Sequence, residues 1–200
     1  MKLLSITSVF PYPLKTGGHK AQFFILDLLR KDISVDLVCS RPETEETRAE
    51  LSSKWKNVNL IFFDDIENPK IKRHINFTTI IRRLALPFKR QRKISHLSPY
   101  LPKFRNSFEQ SLQDYLLTNK YDIIQCEFVP CLTLWEILPK QSKRIFIHHE
   151  LSFVCVDRTL NTLNPWSRFL LRYQSYKKKK AEIKMLQSFD GVIVFSHIDK

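Results

Sequence analysis

Short apolar runs alternate along the chain with segments whose apolar residues recur at helical spacing. The first run, residues 3–7, precedes a loop with two prolines. After Gly17-Gly18 the apolar positions fall at i, i+3, i+4, i+7 and i+8. A short apolar run is typical of a buried strand, and apolar residues at i, i+3, i+4, i+7 and i+8 are typical of one face of a helix. The predicted strands are residues 3–7, 34–40, 58–63, 121–128, 143–149 and 191–195.

Helical segments are predicted between these strands. They cover residues 43–55, 130–138 and 165–189, and two more helices follow Gly17-Gly18 and Pro102. The helix after Gly17-Gly18 is expected to bury Ala21, Phe24, Ile25, Leu28 and Leu29. The helix over 165–189 is expected to bury Trp166, Phe169, Leu170, Tyr173, Ile183 and Leu186.

The alternation of strands and helices predicts an α/β fold with a parallel sheet. Six strands in this order fit one Rossmann-like, doubly wound domain over residues 1–200, with the strand order 3-2-1-4-5-6. Ligands of such sheets bind outside the carboxyl ends of the strands, near the point where the strand order reverses. The residues of interest therefore follow the strands: 7–18, Glu127, 148–150, and Ser196 with His197.

Composition narrows the choice of function. The chain has 33 Lys and Arg against 20 Asp and Glu, a net charge of +13, which favours anionic partners. Neither GxGxxG nor GxxxxGK[ST] occurs, and this disfavours a nicotinamide oxidoreductase and a P-loop NTPase. The four cysteines form no CxxC pair, so buried thiols in a cytoplasmic protein are expected rather than zinc or disulfides.

Residues 69–98 concentrate the positive charge, because they hold nine cations and no acid among large apolar side chains. A lipid surface would use both features, and nucleic acid would use the cations. A solvated connector is the third interpretation. The absence of a nucleic-acid-binding motif favours an anionic membrane or a lipid-linked acceptor over nucleic acid, and a cytoplasmic protein at the inner face of the membrane is expected. The cations are Lys70, Lys72, Arg73, Arg82, Arg83, Lys89, Arg90, Arg92 and Lys93.

Three groups of residues at predicted strand ends carry candidate chemistry. Gly17 and Gly18 allow a phosphate to approach a helix N-terminus, although an ordinary turn explains them equally well. His148-His149-Glu150 offers an imidazole for proton transfer, and because neighbours on a strand face opposite ways, one metal ion is not expected there. Glu127 is suited to bind a substrate hydroxyl, or else to pair with a nearby cation.

Several stretches together resemble the N-terminal half of family 4 glycosyltransferases of GT-B fold. The opening strand, the Pro11-Tyr12-Pro13 loop and Gly17-Gly18 resemble the start of that family. Residues 121–127 resemble its fourth strand, 144–150 its fifth strand ending in His, and 189–196 its sixth.

The resemblance implies a sugar transfer from a nucleotide-sugar donor to a hydroxyl of a glycan or lipid-linked acceptor. Transfer would retain the anomeric configuration and require neither a metal nor another cofactor. Gly17 and Gly18 would approach the donor diphosphate, His148 or His149 would lie near the transferred sugar, and Glu127 and Glu150 would contact acceptor or substrate. Spacing does not decide between the two histidines.

The resemblance ends at Lys200, where the family continues into a donor-binding domain. We therefore expect that domain to be absent from this chain and to be supplied by a longer form of it (in cis) or by a partner (in trans). Without the donor-binding domain the chain is expected to be inactive. The alternative function is a non-catalytic, basic Rossmann-like module that binds nucleic acid or an anionic membrane.

Overall fold

The computed structural model describes residues 1–39, 44–63, 101–102, 104–149 and 165–195. Strands and helices alternate through these residues as the sequence predicts, with ends that differ by at most three residues. The strands are β1 (Lys2–Thr7), β2 (Ser34–Cys39), β3 (Val58–Phe62), β4 (Ile123–Glu127), β5 (Lys143–His148) and β6 (Gly191–Val194). The helices are α1 (Gly17–Leu29), α2 (Glu45–Lys54), α3 (Asn106–Thr118), a 3-10 helix (Val129–Glu136) and α4 (Pro165–Leu186).

The six strands form one parallel sheet in the order β3-β2-β1-β4-β5-β6, which confirms the predicted topology. The order reverses between β1 and β4, where Thr7 stands opposite Glu127. Glu127 in turn stands opposite Ile147 of β5. Because all strands are parallel, these residues meet at the carboxyl edge of the sheet.

Two layers of helices cover the two faces of the sheet. On one face Leu26 of α1 and Leu51 of α2 pack with Leu3, Val35 and Leu37. The other face packs against α3, the 3-10 helix and α4. The side chains from those three helices include Phe108, Leu112, Leu132, Leu134, Ala181 and Met185.

The buried face of α1 differs from the predicted one. Gln22 and Leu26 are buried, whereas Phe24 and Leu28 are 59% and 63% exposed. Gly18, Gln22 and Leu26 stand at four-residue spacing, so they share one stripe, and Gly18 lies against the ring of Phe128. The approach of α1 to Phe128 and the packing of Leu26 therefore set its rotation, even though this orientation exposes two large apolar side chains.

The inward face predicted for α4 is also partly wrong. Tyr173 and Ile183 are exposed, whereas Ser175 and Glu182 are buried. Glu182 is turned inward because its carboxylate pairs with His148 of β5. The side chains of Trp166, Phe169 and Leu170, also predicted to be inward, lie outside those that the structure describes.

A cluster of polar side chains lies toward the amino edge of the sheet. The hydroxyl of Tyr121 donates to Oδ2 of Asp36 at 2.5 Å, and Nζ of Lys2 lies 3.0 Å from the same oxygen. The hydroxyls of Tyr115 and Tyr121 are 2.7 Å apart. Burial, reinforced by the hydrogen bonds to Asp36 and Tyr115, raises the pKa of Tyr121 above its usual range.

Three of the four cysteines fall in the described part of the chain, and all three are buried free thiols. They are Cys39, Cys126 and Cys131, as the sequence predicts, while Cys155 lies outside the described residues. Burial raises the pKa of each of the three thiols. Raised thiol pKa values make these cysteines poor nucleophiles, so they belong to the core.

Candidate functional site at the carboxyl edge of the sheet

Glu127 and His149 meet at the carboxyl edge, beside the point where the strand order reverses. Nε2 of His149 lies 2.8 Å from Oε2 of Glu127, and the amide of Gln125 donates to Oε1 of Glu127 at 2.7 Å. The Glu127 side chain is fully buried, and that of His149 is 10% exposed. Both carboxylate oxygens are therefore bonded, and among the described residues their partners are His149 and Gln125 rather than a Lys or Arg.

The hydrogen bond to Glu127 fixes how His149 can act. An imidazole nitrogen beside a carboxylate is the N–H donor, so Nε2 carries a proton. Nδ1 of His149 then has no hydrogen-bond partner among the described residues. In the neutral ring Nδ1 accepts a hydrogen bond, and in the protonated ring it donates one.

His148 faces the opposite side of the sheet. Its Nε2 lies 2.6 Å from Oε1 of Glu182 on α4, and the two side chains are 2% and 0% exposed. Neighbouring residues of an extended strand point to opposite faces, as expected for this His-His pair. Of the two candidate histidines, His149 is therefore the one that contacts Glu127, whereas His148 points to the α4 side of the sheet.

The backbone of Phe128 adopts a conformation that is costly for a residue with a side chain. Its φ and ψ are 67° and 151°, and no other non-glycine residue in the described ranges has positive φ. This region is almost restricted to glycine and costs about 1–3 kcal/mol otherwise. Phe128 follows Glu127 directly and precedes the 3-10 helix, so the strain is located at the candidate site.

The ring of Phe128 lies flat on the ring of His149. The ring centroids are 4.3 Å apart and the planes differ by 10°. The ring of Phe195, which is 51% exposed, lies 5.1 Å from His149 at a tilt of 35°. His149 thus contacts two aromatic rings while its Nε2 is bound to Glu127.

The N-terminus of α1 brings the two glycines to the same edge. Thr16 caps the helix, because its Oγ1 accepts a hydrogen bond from the backbone N–H of His19 at 3.2 Å. A Cβ atom at Gly17 would have no heavy atom within 4 Å, whereas one at Gly18 would lie 3.0 Å from Cε1 of Phe128. The two glycines therefore differ: Gly17 adjoins open space, and Gly18 makes room for an aromatic ring.

Several residues of the predicted site lie outside the described part of the chain. They include Glu150, Ser196 and His197, and all nine cations of the segment 69–98. Among the described residues, no group of three or more His, Cys, Asp or Glu side chains is arranged to hold a metal ion. None of the described helices combines the length and the hydropathy that crossing a bilayer requires.

Sequence reasoning missed Gln125, Phe128 and Glu182 as partners of the candidate residues. Gln125 is two residues before Glu127 and hence on the same face of β4, so strand periodicity was a usable signal for it. The contact between His148 and Glu182 joins residues far apart in sequence, and no local pattern indicates it. A positive φ is usually indicated by glycine or asparagine, and Phe128 is neither.

The strand order and the two helical layers define a Rossmann-like α/β domain of the kind found in glycosyltransferases of GT-B fold. Solved structures with this fold include that of Phytolacca americana UGT2 complexed with UDP-2fluoro-glucose and pterostilbene. It has a TM-score of 0.56 at 12% identity, over 98% of this chain and 48% of that chain. The apo form of UGT2 gives 0.52 at 11% identity, over 100% and 46%.

This chain thus spans about half the length of those two structures. At such identities the likeness concerns the fold. No protein-family model matches the sequence, and no curated protein matches it. The finer resemblance to family 4 stays a prediction.

Proposed function

We propose that this domain is the acceptor-side half of a retaining glycosyltransferase, which transfers a sugar from a nucleotide-sugar donor to a hydroxyl of a glycan or lipid-linked acceptor. The single observation that carries the proposal is the pair formed by His149 and Glu127. It lies at the carboxyl edge, beside the strand-order reversal, in a domain whose fold resembles half of a glycosyltransferase. Ligands of doubly wound sheets bind at that place.

In this proposal His149 is the proton-handling group. Glu127 holds the Nε2–H and leaves Nδ1 to face the ligand. When the ring is neutral, Nδ1 accepts a hydrogen bond from a sugar hydroxyl. When the ring is protonated, Nδ1 gives its proton to an oxygen of the leaving phosphate, and the ring becomes neutral with its Nε2–H still bonded to Glu127. Gln125 positions Glu127 through its other oxygen.

The donor diphosphate is proposed to approach the N-terminus of α1. The backbone N–H groups there point away from the helix, and the helix dipole favours an anion. The open space beside Gly17 supports close approach at that residue. Glu150 stays a candidate contact for acceptor or substrate, and His148 is assigned a structural role because it is buried against Glu182.

Transfer assays with matched histidine variants test the proposal. The chain is combined with a donor-binding domain, either in a longer natural form or in trans, and supplied with UDP- and GDP-sugars and a panel of hydroxyl acceptors. We expect His149→Ala to lower kcat by about 10²–10⁴-fold, the usual contribution of a proton-transferring side chain. EDTA should leave the rate unchanged, and the product anomer should match that of the donor sugar.

The comparison variant is His148→Gln, which changes the neighbouring histidine on the opposite face. It should lower stability more than the rate per folded molecule. Full activity of His149→Ala, or a loss that His148→Gln reproduces without unfolding, would contradict the assignment. A product with the inverted anomeric configuration would reject only the retaining mechanism and not the assignment of His149.

Binding to an anionic membrane is the second proposed function, and the outward face of α4 favours it. That face exposes cations without an acid, together with Tyr176, which is 61% exposed. Cations near an anionic surface contribute about 1 kcal/mol each, and tyrosines suit the headgroup region. The described cations are Arg172, Lys179, Lys180 and Lys184. With segment 69–98 they would place a cytoplasmic protein on the inner face of the membrane.

Cosedimentation with vesicles tests membrane binding. Vesicles with 30% phosphatidylserine should bind the protein, neutral vesicles should not, and Lys179→Glu with Lys180→Glu should weaken binding at least tenfold. A pair of Lys→Glu changes at Lys31 and Lys56, which are also exposed, controls for net charge. Binding to oligonucleotides but not to vesicles would replace this function with the nucleic-acid alternative.

A further inference from the structure

The strained residue at the candidate site also provides the flat surface against which His149 rests. Phe128 is held at φ 67°, a value that glycine would adopt freely, yet the position carries a large ring. That ring stacks on His149 with 4.3 Å between centroids. The backbone conformation directs the side chain of Phe128 from the end of β4 toward the histidine that follows β5.

Two contacts together restrict the orientation of the imidazole. The bond from Nε2 to Glu127 anchors one ring atom, and by itself it leaves the plane of the ring adjustable. The face-to-face contact with Phe128 fixes that plane, since the planes differ by only 10°. The direction in which Nδ1 points therefore depends on where the ring of Phe128 lies.

The position of the Phe128 ring depends in turn on Gly18. A Cβ atom at Gly18 would lie 3.0 Å from Cε1 and 3.3 Å from Cζ of Phe128. These distances are tighter than nine in ten real Cβ contacts, so a methyl group there would require the ring or the helix to move by a few tenths of an ångström. Gly17, one residue earlier, has no such neighbour.

We propose that Gly18 and Phe128 are positioning residues, which together set the plane of the His149 ring and the direction of Nδ1. Gly18 acts by lacking a side chain, and Phe128 acts by stacking. The catalytic consequence rests on the proposed function, whereas the orientation of the ring does not. The paired glycines thus have separate roles, Gly17 toward the donor and Gly18 toward His149.

Nuclear magnetic resonance of the histidine rings tests the orientation without any assay of transfer. The signals of His149 are identified by their loss in His149→Gln. In the wild type its ring protons should be displaced upfield by the stacked Phe128, and Nε2 should be the protonated nitrogen. Gly18→Ala should move these signals toward those of a free histidine. Gly17→Ala, the same substitution one residue away, should leave them in place and raise Tm.

A second variant keeps the proposal testable if Gly18→Ala does not fold. Phe128→Leu retains a side chain with the same backbone restriction but removes the stacked ring, and it should remove most of the upfield displacement and leave the part caused by Phe195. Adding Gly18→Ala to Phe128→Leu should then change the His149 signals little. His149 signals that are the same in the wild type, Gly18→Ala and Phe128→Leu would overturn the proposal.

Kinetics with the donor-binding domain distinguish positioning from diphosphate binding. Gly18→Ala and Phe128→Leu should lower kcat at least tenfold with little change in the donor KM, whereas Gly17→Ala should raise the donor KM. A raised donor KM in both glycine variants, with unchanged His149 signals, would assign both glycines to the diphosphate and overturn positioning. Signals that respond as predicted in a protein that transfers no sugar would leave the positioning standing and reject the proposed function.

Discussion

Nε2 of His148 lies 2.6 Å from Oε1 of Glu182, and this contact joins β5 to α4 across a buried interface. His149, the next residue, makes the same kind of contact on the opposite face, with Glu127 of β4. Two adjacent histidines thus each bind one carboxylate, on the two sides of one sheet. Only the second pair includes Glu127, which stands opposite Thr7 where the strand order reverses, so the two pairs are expected to respond differently to substitution.

Removing one member of the pair of His148 and Glu182 should destabilise the domain strongly. Glu182→Ala takes the carboxylate away from the buried His148, and His148→Ala takes the imidazole away from the buried Glu182; breaking a buried pair in this way costs about 3–5 kcal/mol when the pair is charged. Urea unfolding followed by circular dichroism measures the loss. Replacing both by apolar residues, His148→Leu with Glu182→Met, should cost less than the sum of the two single losses. Additive losses would contradict the pairing.

The topology was predictable because it follows from the order of apolar segments. The parallel pairing and the strand order 3-2-1-4-5-6 depend on strands that alternate with helices, and runs such as 143–149 are unambiguous in sequence. The contact between Glu127 and His149 could be predicted for the same reason, since these residues lie at the carboxyl ends of two strands that are neighbours in this order.

The rotation of individual helices was not predictable from apolar spacing. The buried residues of α1 are Gln22 and Leu26, whereas the apolar pattern favoured a stripe with Phe24 and Leu28. In α4 the charged residue Glu182 is turned inward, since its partner is on β5. In both helices a tertiary contact overrides local amphipathicity, and such a contact leaves no periodic signal in the sequence.

The hydrogen bond from Tyr121 to Asp36 should be a separate source of stability, toward the amino edge. Asp36 also contacts Lys2, so its carboxylate is expected to be charged and the bond to be charge-assisted. Tyr121→Phe should lower the free energy of unfolding by about 1.5–3 kcal/mol, measured by urea unfolding at pH 7. Tyr176→Phe, on the exposed face of α4, should change it by less than about 0.5 kcal/mol. An equal effect of both substitutions would show that the bond contributes nothing.

Asp190 links the amino end of β6 to β5 and should make stability depend on pH. Its Oδ2 accepts hydrogen bonds from the backbone N–H of Arg144 at 2.8 Å and from Nε of Arg144 at 3.2 Å. These two bonds lower the pKa of Asp190 below its usual value. The pKa of Asp190 in the folded protein is therefore below its pKa in the unfolded chain, which is about 4. The stabilisation is complete above the unfolded pKa, and it is lost as the pH falls through the folded pKa.

Asp190→Asn should accordingly lower the free energy of unfolding at pH 7 by about 1 kcal/mol, a value kept small because the carboxylate is one-third exposed. The difference from the wild type should shrink between about pH 5 and pH 3, as the wild-type carboxylate takes up its proton. Urea unfolding at several pH values measures this difference. For Asp32→Asn, at an exposed position, the difference in free energy of unfolding from the wild type should not shrink in this pH range. If the loss at pH 7 persisted unchanged at pH 3, the charge of Asp190 would not be its cause, and the side chain would act on β6 through its shape alone.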